Sequence, residues 1–272
     1  MSITSTVDAV RAHAGRVGHI AYGASVAGLG VLCLLAGDLG YIFQPVPRWM
    51  PFGSSLSYGC GAVLLAGGLA LLAPKTARLA ALVLTIQFCL WLLLLNLPTT
   101  LAKPTLVGNW EGCGLNMTVI AGGWILVALW ERPSGRAARL LGARGVRLAR
   151  YVFAAGVPLV GLAHFVNARE ATVYVPTWFP LRIGWVYLTG AGHIAAGLAI
   201  LFGVIPRLAA VLEAAQITAF VIIAHIPAVC AAPGNRLEWA QLAYAAAIAA
   251  SAWLVAATFD DGSTSRAKSR MR

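Results

Sequence analysis

Eight runs of mostly apolar residues divide this chain, at roughly 17–37, 54–73, 79–97, 115–130, 152–168, 183–204, 208–226 and 241–259. Each approaches the ~20 residues that a helix needs to cross a bilayer. No water-soluble globule accommodates eight such segments, and the composition agrees. Hydrophobic residues make up 60% of the 272 and charged residues 11%, against about a quarter charged in a soluble domain. The same hydrophobicity excludes a disordered chain. The turns at 74–78 and 205–207 are so short that the helices they join must form antiparallel hairpins. The chain reads as an all-α integral membrane protein with eight transmembrane helices.

The net charge of +11 comes from 20 Lys and Arg against 9 Asp and Glu. On a soluble protein this would suggest nucleic acid, but here the bases sit between apolar runs, where topology explains them. With an even number of spans both termini share a side. That side carries fifteen of the twenty bases, including the six arginines between 131 and 150 and four bases in the tail. The positive-inside rule then makes both termini cytoplasmic. The Arg-rich loop serves as a topology anchor and is also suited to anionic lipid headgroups. The first apolar run, preceded by Asp8, Arg11 and Arg16 and closed by no small-residue cleavage site, is expected to be retained as a signal anchor.

A shift of 129 residues superposes Val46-Pro47-Arg48-Trp49-Met50-Pro51 on Val175-Pro176-Thr177-Trp178-Phe179-Pro180 without a gap. It also pairs Tyr58 with Tyr187, Gly61 with Gly190, Gln87 with Gln216, Pro98 with Pro227 and Trp110 with Trp239. Of the 65 pairs from Val46 to Trp110, 21 are identical. Shared hydrophobicity does not place tryptophans and prolines on one another, so the chain is an internal repeat. The expected organisation is a cytoplasmic N-terminus at 1–16, a first four-helix unit at 17–130, and an Arg-rich linker at 131–150. A second four-helix unit at 151–259 and a basic tail at 260–272 complete it. Each unit has an even number of spans, so the two four-helix bundle repeats are parallel-oriented, and the logic of inverted-repeat transporters finds no support.

Taken together, the VPxWxP loop after the first helix, the YxxG second helix, the short turn into Arg-Leu-Ala-Ala and the third helix ending before a proline form a recognisable order. With Gly190-Ala191-Gly192-His193-Ile194-Ala195-Ala196-Gly197 and the Pro-containing loop reaching Trp239, this order resembles the DoxX-like family of bacterial membrane proteins. The second unit matches best, and the first is a more diverged copy. The resemblance implies a four-helix membrane bundle, here in duplicate, in the bacterial inner membrane. It also implies association with quinone-linked thiosulfate oxidation, oxidative-stress complexes or maturation of redox enzymes. It supplies no catalytic motif.

Ionisable residues inside a bilayer are functional candidates by default. The second unit holds His164, His193, Glu213, Gln216 and His225. At 1.5 Å per residue, Gln216 lies roughly 14 Å in from Arg207 and His193 at a similar depth from the other face. His164 and His225 fall in the outer third. These four are expected to line one cavity opening outward, roofed by the loop at 174–180, with Tyr187 and Trp178 as further ligand-binding candidates. Glu213 pairs with Arg207 or Lys75, or serves as a proton relay. In the first unit Leu35, Leu64 and Leu84 stand where the second has His164, His193 and Glu213, so polar binding is expected in unit two alone. Against a ligand role, histidines near helix ends commonly bond backbone carbonyls. The paired Gln87 and Gln216 suit interhelical hydrogen bonds of about 0.6–2 kcal/mol. The four tryptophans Trp49, Trp110, Trp178 and Trp239 suit an interfacial aromatic belt.

The five cysteines form no CxxC, so neither a dithiol motif nor a Cys-rich metal site is visible. Cys113 and Cys230 lie near segment ends on one side, where a disulfide is one reading. Three histidines on three helices also suit a haem iron, although no His-x-x-His or Glu-x-x-His spacing supports a metal. Phosphate-cradling glycine motifs and nucleophile triads are absent from the sequence, and nothing points to nucleic acid. The reading is therefore an accessory subunit without catalytic activity of its own. It binds a lipophilic small molecule such as a quinone and works with membrane lipids and a membrane or periplasmic redox protein. The alternatives are a scaffold that recruits partner proteins through its loops and, third, a small-solute transporter.

Overall fold

The structure is a computed structural model that describes residues 3–46, 53–130 and 140–259. The first VPxWxP loop beyond Val46, residues 131–139 of the Arg-rich linker and the basic tail lie outside the described residues. Among the described residues, eight helices are long and apolar enough to cross a membrane. They are α1 (Ile3–Ala36), α2 (Gly53–Leu71), α3 (Ala77–Ala102), α4 (Val107–Trp130), α5 (Gly142–Val166), α6 (Arg182–Phe202), α7 (Pro206–Ala231) and α8 (Arg236–Ala257). This is a multi-pass membrane protein. Two boundaries move outward from the sequence reading. Helix α4 begins at Val107, not near residue 115, and α5 begins at Gly142, not near residue 152. In both places polar residues interrupt the apolar run without interrupting the helix.

Elements recur at the offset seen in the sequence: α2 and α6 begin at Gly53 and Arg182, α3 and α7 at Ala77 and Pro206, α4 and α8 at Val107 and Arg236. Even the irregularities recur. Both α3 and α7 contain one π turn, at Leu92–Asn96 and Val221–His225, where the amide of Leu97 donates to the Leu92 carbonyl and that of Ile226 to the Val221 carbonyl. A proline follows each turn, Pro98 and Pro227. Proline lacks the amide hydrogen and crowds the carbonyl four residues back, and the wider π turn accommodates both defects while re-aiming the residues after it.

The packing links the two halves closely. Helix α1 packs against α2 and against α8, while α5 packs against α6 and against α4. The first helix of each half thus docks on the last helix of the other. Following the contacts α1–α2–α3–α4–α5–α6–α7–α8 and back to α1 traces a closed ring, with α4 and α8 also meeting across it. Small residues make the close crossings. A Cβ on Gly68 of α2 would lie 2.5 Å from the amide nitrogen of Ala27 in α1. One on Gly197, its counterpart in α6, would lie 2.5 Å from Pro158 Cγ in α5. Tyr22, fully buried in α1, donates its hydroxyl to the Val119 carbonyl of α4 at 3.1 Å. At the end of the ring near the termini, the Arg150 guanidinium sits 4.0 Å over the Phe259 ring and donates to Thr258. All five cysteines are free: Cys113 is buried beside Thr100 and Cys230 is exposed, so the two are not bridged.

Candidate functional site

One cavity of about 1000 Å³ occupies the half of the ring away from the termini. Its walls come from α3 to α8, from the residues after α1 and from the segment joining α5 to α6. His164, His193, Gln216 and His225 all line it, as do Tyr174, Val175, Pro176 and Phe179 of that joining segment. Arg182 holds the segment in place: its guanidinium donates to the Val175 and Thr172 carbonyls, each at 2.7 Å.

The polar floor is a hydrogen-bonded pair. His193 Nδ1 lies 2.6 Å from Glu213 Oε1, and the two side chains are 4% and 1% exposed. Helix α6 places His193 about 16 Å from its Arg182 end, near the middle of a bilayer of ~30 Å. Glu213 therefore has an imidazole as its partner instead of the expected Arg207 or Lys75. Its second oxygen, Oε2, is buried and makes no hydrogen bond. His164 stands over the pair, its ring centroid 5.1 Å from that of His193, with Nδ1 3.0 Å from the Val160 carbonyl one turn back. Phe220 stacks on His164 and meets His193 edge to face. This aromatic packing fixes both imidazole planes. Nearer the rim, His225 tilts against Tyr174, and its Nδ1 is buried without a hydrogen bond.

Gln216 combines two roles. It lines the cavity, and its Nε2 donates to the Thr189 carbonyl of α6 at 3.0 Å. Gln87 donates to the Cys60 carbonyl at 3.2 Å, and Cys60 is the 129-residue counterpart of Thr189. The interhelical reading of both glutamines is thus realised at equivalent places.

Two candidates do not join the site. Tyr187 stacks on Phe165, is 41% exposed and does not line the cavity. Trp178 is 72% exposed. The loop residue that faces inward is its neighbour Phe179, set edge to face against Trp185.

The expectation that the site belongs to the second half alone is also corrected. Gln44, Asn96 and Glu111 from the first half line the same cavity. Gln44 reaches in from the connection after α1 and forms a buried amide cluster: it donates to the Tyr244 hydroxyl at 3.2 Å and accepts from Asn96 at 2.9 Å. Glu111 was missed because Asn109, Glu111 and their neighbours broke the apolar run that marked the fourth span. The pairing of Trp110 with Trp239 was the signal available, since both stand at a helix start and both indoles donate to a proline carbonyl at 2.9 Å.

Among the described residues no cluster of three His, Cys, Asp or Glu side chains is placed to hold a metal ion. The cavity offers a large, mainly apolar space with a few convergent polar groups, the usual form of a site for an organic ligand. The chain matches no protein family, no curated protein and no solved structure. Fold and cavity thus define its class: an eight-helix multi-pass membrane protein with an internal, polar-floored chamber.

Proposed function

We propose that this protein is a membrane binding subunit for a lipophilic small molecule, held in the cavity with its head toward the His193–Glu213 pair. One observation carries the reading: a hydrogen-bonded His–Glu pair, almost wholly buried near mid-bilayer depth, forms the floor of a cavity of about 1000 Å³ whose walls are mostly apolar. Ionisable groups are costly at that depth and mark functional places. A ring of the quinone type, a few hundred Å³ with a hydrogen-bonding head and an apolar tail, suits the space. The DoxX-like order of motifs supports a link to a redox or oxidative-stress system in a bacterial inner membrane, with electron chemistry done by a partner protein. The excess of bases at the termini supports a cytoplasmic location for both.

The test is native mass spectrometry of the full chain extracted in mild detergent, with any bound molecule identified. A stoichiometric lipophile is expected, and it should be lost from the His193→Leu, Glu213→Leu double variant. That variant installs the residues already present at Leu64 and Leu84 and strands no charge. A wild-type protein that carries nothing but brings down a defined partner would replace this reading with the scaffold.

A further inference from the structure

Several hydrogen-bond donors of the cavity wall are already committed. Thr99, Thr118 and Thr189 donate to backbone carbonyls within their own helices. Trp185 Nε1 donates to the Pro180 carbonyl at 3.1 Å, Gln216 to Thr189, and Gln241 Nε2 to the Tyr174 hydroxyl at 2.7 Å.

Around the His193–Glu213 pair the groups that remain accept, while the Tyr174 and Tyr244 hydroxyls, which take hydrogen bonds from Gln241 and Gln44, still have a hydrogen of their own. The Val160 carbonyl can only accept, so the proton of His164 sits on Nδ1 and the uncharged ring carries its lone pair on Nε2. Where Glu213 is ionised, its carboxylate accepts the Nδ1 hydrogen of His193 and leaves the Nε2 lone pair facing the cavity. Glu213 Oε2 and, beside Tyr174 nearer the rim, Gln241 Oε1 are buried acceptors with no hydrogen bond, and His225 Nδ1 is a buried ring nitrogen without one. Glu111 adds a second carboxylate to the wall, and among the described residues no Lys or Arg lines the cavity. Buried polar atoms are expensive to leave unpaired, so the occupant that suits these walls is one that brings hydrogens with it.

Resting on the lipophile-binding reading above, we infer that the cavity selects ligands whose head group donates hydrogen bonds. Within the quinone couple this means the quinol, whose hydroxyls donate, over the quinone, whose carbonyls only accept. An ammonium group on an apolar chain offers the same chemistry, with Coulomb attraction to Glu213 and Glu111 wherever these are ionised.

The full-length protein in lipid nanodiscs is equilibrated with a decyl-substituted benzoquinone, with its quinol kept reduced without oxygen, or with dodecylamine. Retention is read by native mass spectrometry, with empty nanodiscs correcting for partition into lipid. The quinol is expected to be held at least about tenfold more tightly than the quinone, the scale of one unmet polar group at 1.4 kcal/mol per decade. In Glu213→Gln the new amide can donate to His193 Nδ1 and release the proton to Nε2, so the preference should fall toward parity. His164→Leu, which copies Leu35 and removes an acceptor while leaving the His193–Glu213 hydrogen bond in place, should lower the preference several-fold and guards against a misfolded Gln variant. A quinone held as tightly as the quinol overturns the inference. Dodecylamine retained with the quinol excluded upholds donor selection and assigns the source to amines. Retention of none of the three, with no native lipophile bound, overturns the binding reading itself.

Discussion

The His193–Glu213 pair and its counterpart show how differently one position in this fold can be filled. Leu64 and Leu84 occupy the corresponding places in the first half, both with no exposure, so the framework tolerates a fully apolar contact there. Breaking a buried hydrogen-bonded ionisable pair leaves one member stranded and typically costs about 3–5 kcal/mol, whereas exchanging both for apolar residues is often neutral. Each single variant, His193→Leu or Glu213→Leu, is therefore expected to lose about 3 kcal/mol of stability. The double variant should lose less than about 1 kcal/mol, which gives a large coupling energy in a double-mutant cycle. Denaturant titration in micelles checks this. Equal and additive losses would show that the pair is not coupled. The individual residues were only partly legible in the sequence. His193, His164, Gln216 and His225 stood out because polarity is rare in an apolar run. Glu111 and Gln44 stood among other polar residues near a helix start and in a connection, where polarity carries no such contrast. The partner of Glu213 depends on the rotation of α6 against α7, which neither helix specifies by itself.

At the scale of elements, α7 and the α5–α6 crossing shape the cavity. The π turn at Val221–His225 adds a residue to one helical turn and so rotates the last turns of α7 relative to Glu213 and Gln216. Replacing Pro227 with alanine, which returns the amide hydrogen and removes the crowding that the wider turn accommodates, should restore a regular helix and swing His225 about 100° from its present direction, one residue of a 3.6-residue turn. The expected outcome is unchanged helix content by circular dichroism with loss of the bound lipophile in native mass spectrometry. The crossing depends on a missing side chain. Gly197→Val forces atoms into Pro158 and should cost about 2–3 kcal/mol, as overpacked cores do, read as a lowered midpoint of thermal unfolding. The sequence announced that these two elements were unusual, through Pro227 and the Gly190–Gly197 run. It did not announce the π turn itself, because proline reports a conflict with the regular helix without saying which irregularity resolves it.

For the whole molecule, the eight spans were visible as apolar lengths, and their order in the chain as hairpins. The ring was not. Hydrophobicity says which residues avoid water but not which helix covers which, and lipid is as acceptable a neighbour as protein. The observed exchange, α1 on α8 and α5 on α4, makes a definite prediction. Chains cut between 130 and 140 and expressed separately should each aggregate, since each lacks the helix that covers its first or last span. When co-expressed, they should co-purify as a complex that keeps the bound lipophile. Two stable, independent halves would contradict the ring.

The exchange of first helices has a consequence for stoichiometry. Two separate copies of one four-helix chain, joined through the same swap, would present identical surfaces, and any imidazole acquired by one would appear in both. Each assembly would then carry two half-chambers facing related walls, or none. Carrying both copies on a single polypeptide removes that constraint. One half keeps leucines at 64 and 84 while the other takes histidine and glutamate at 193 and 213, and each lends a wall to the same space. The result is a single chamber per molecule, free of the obligate pairing of cavities that a symmetric dimer imposes.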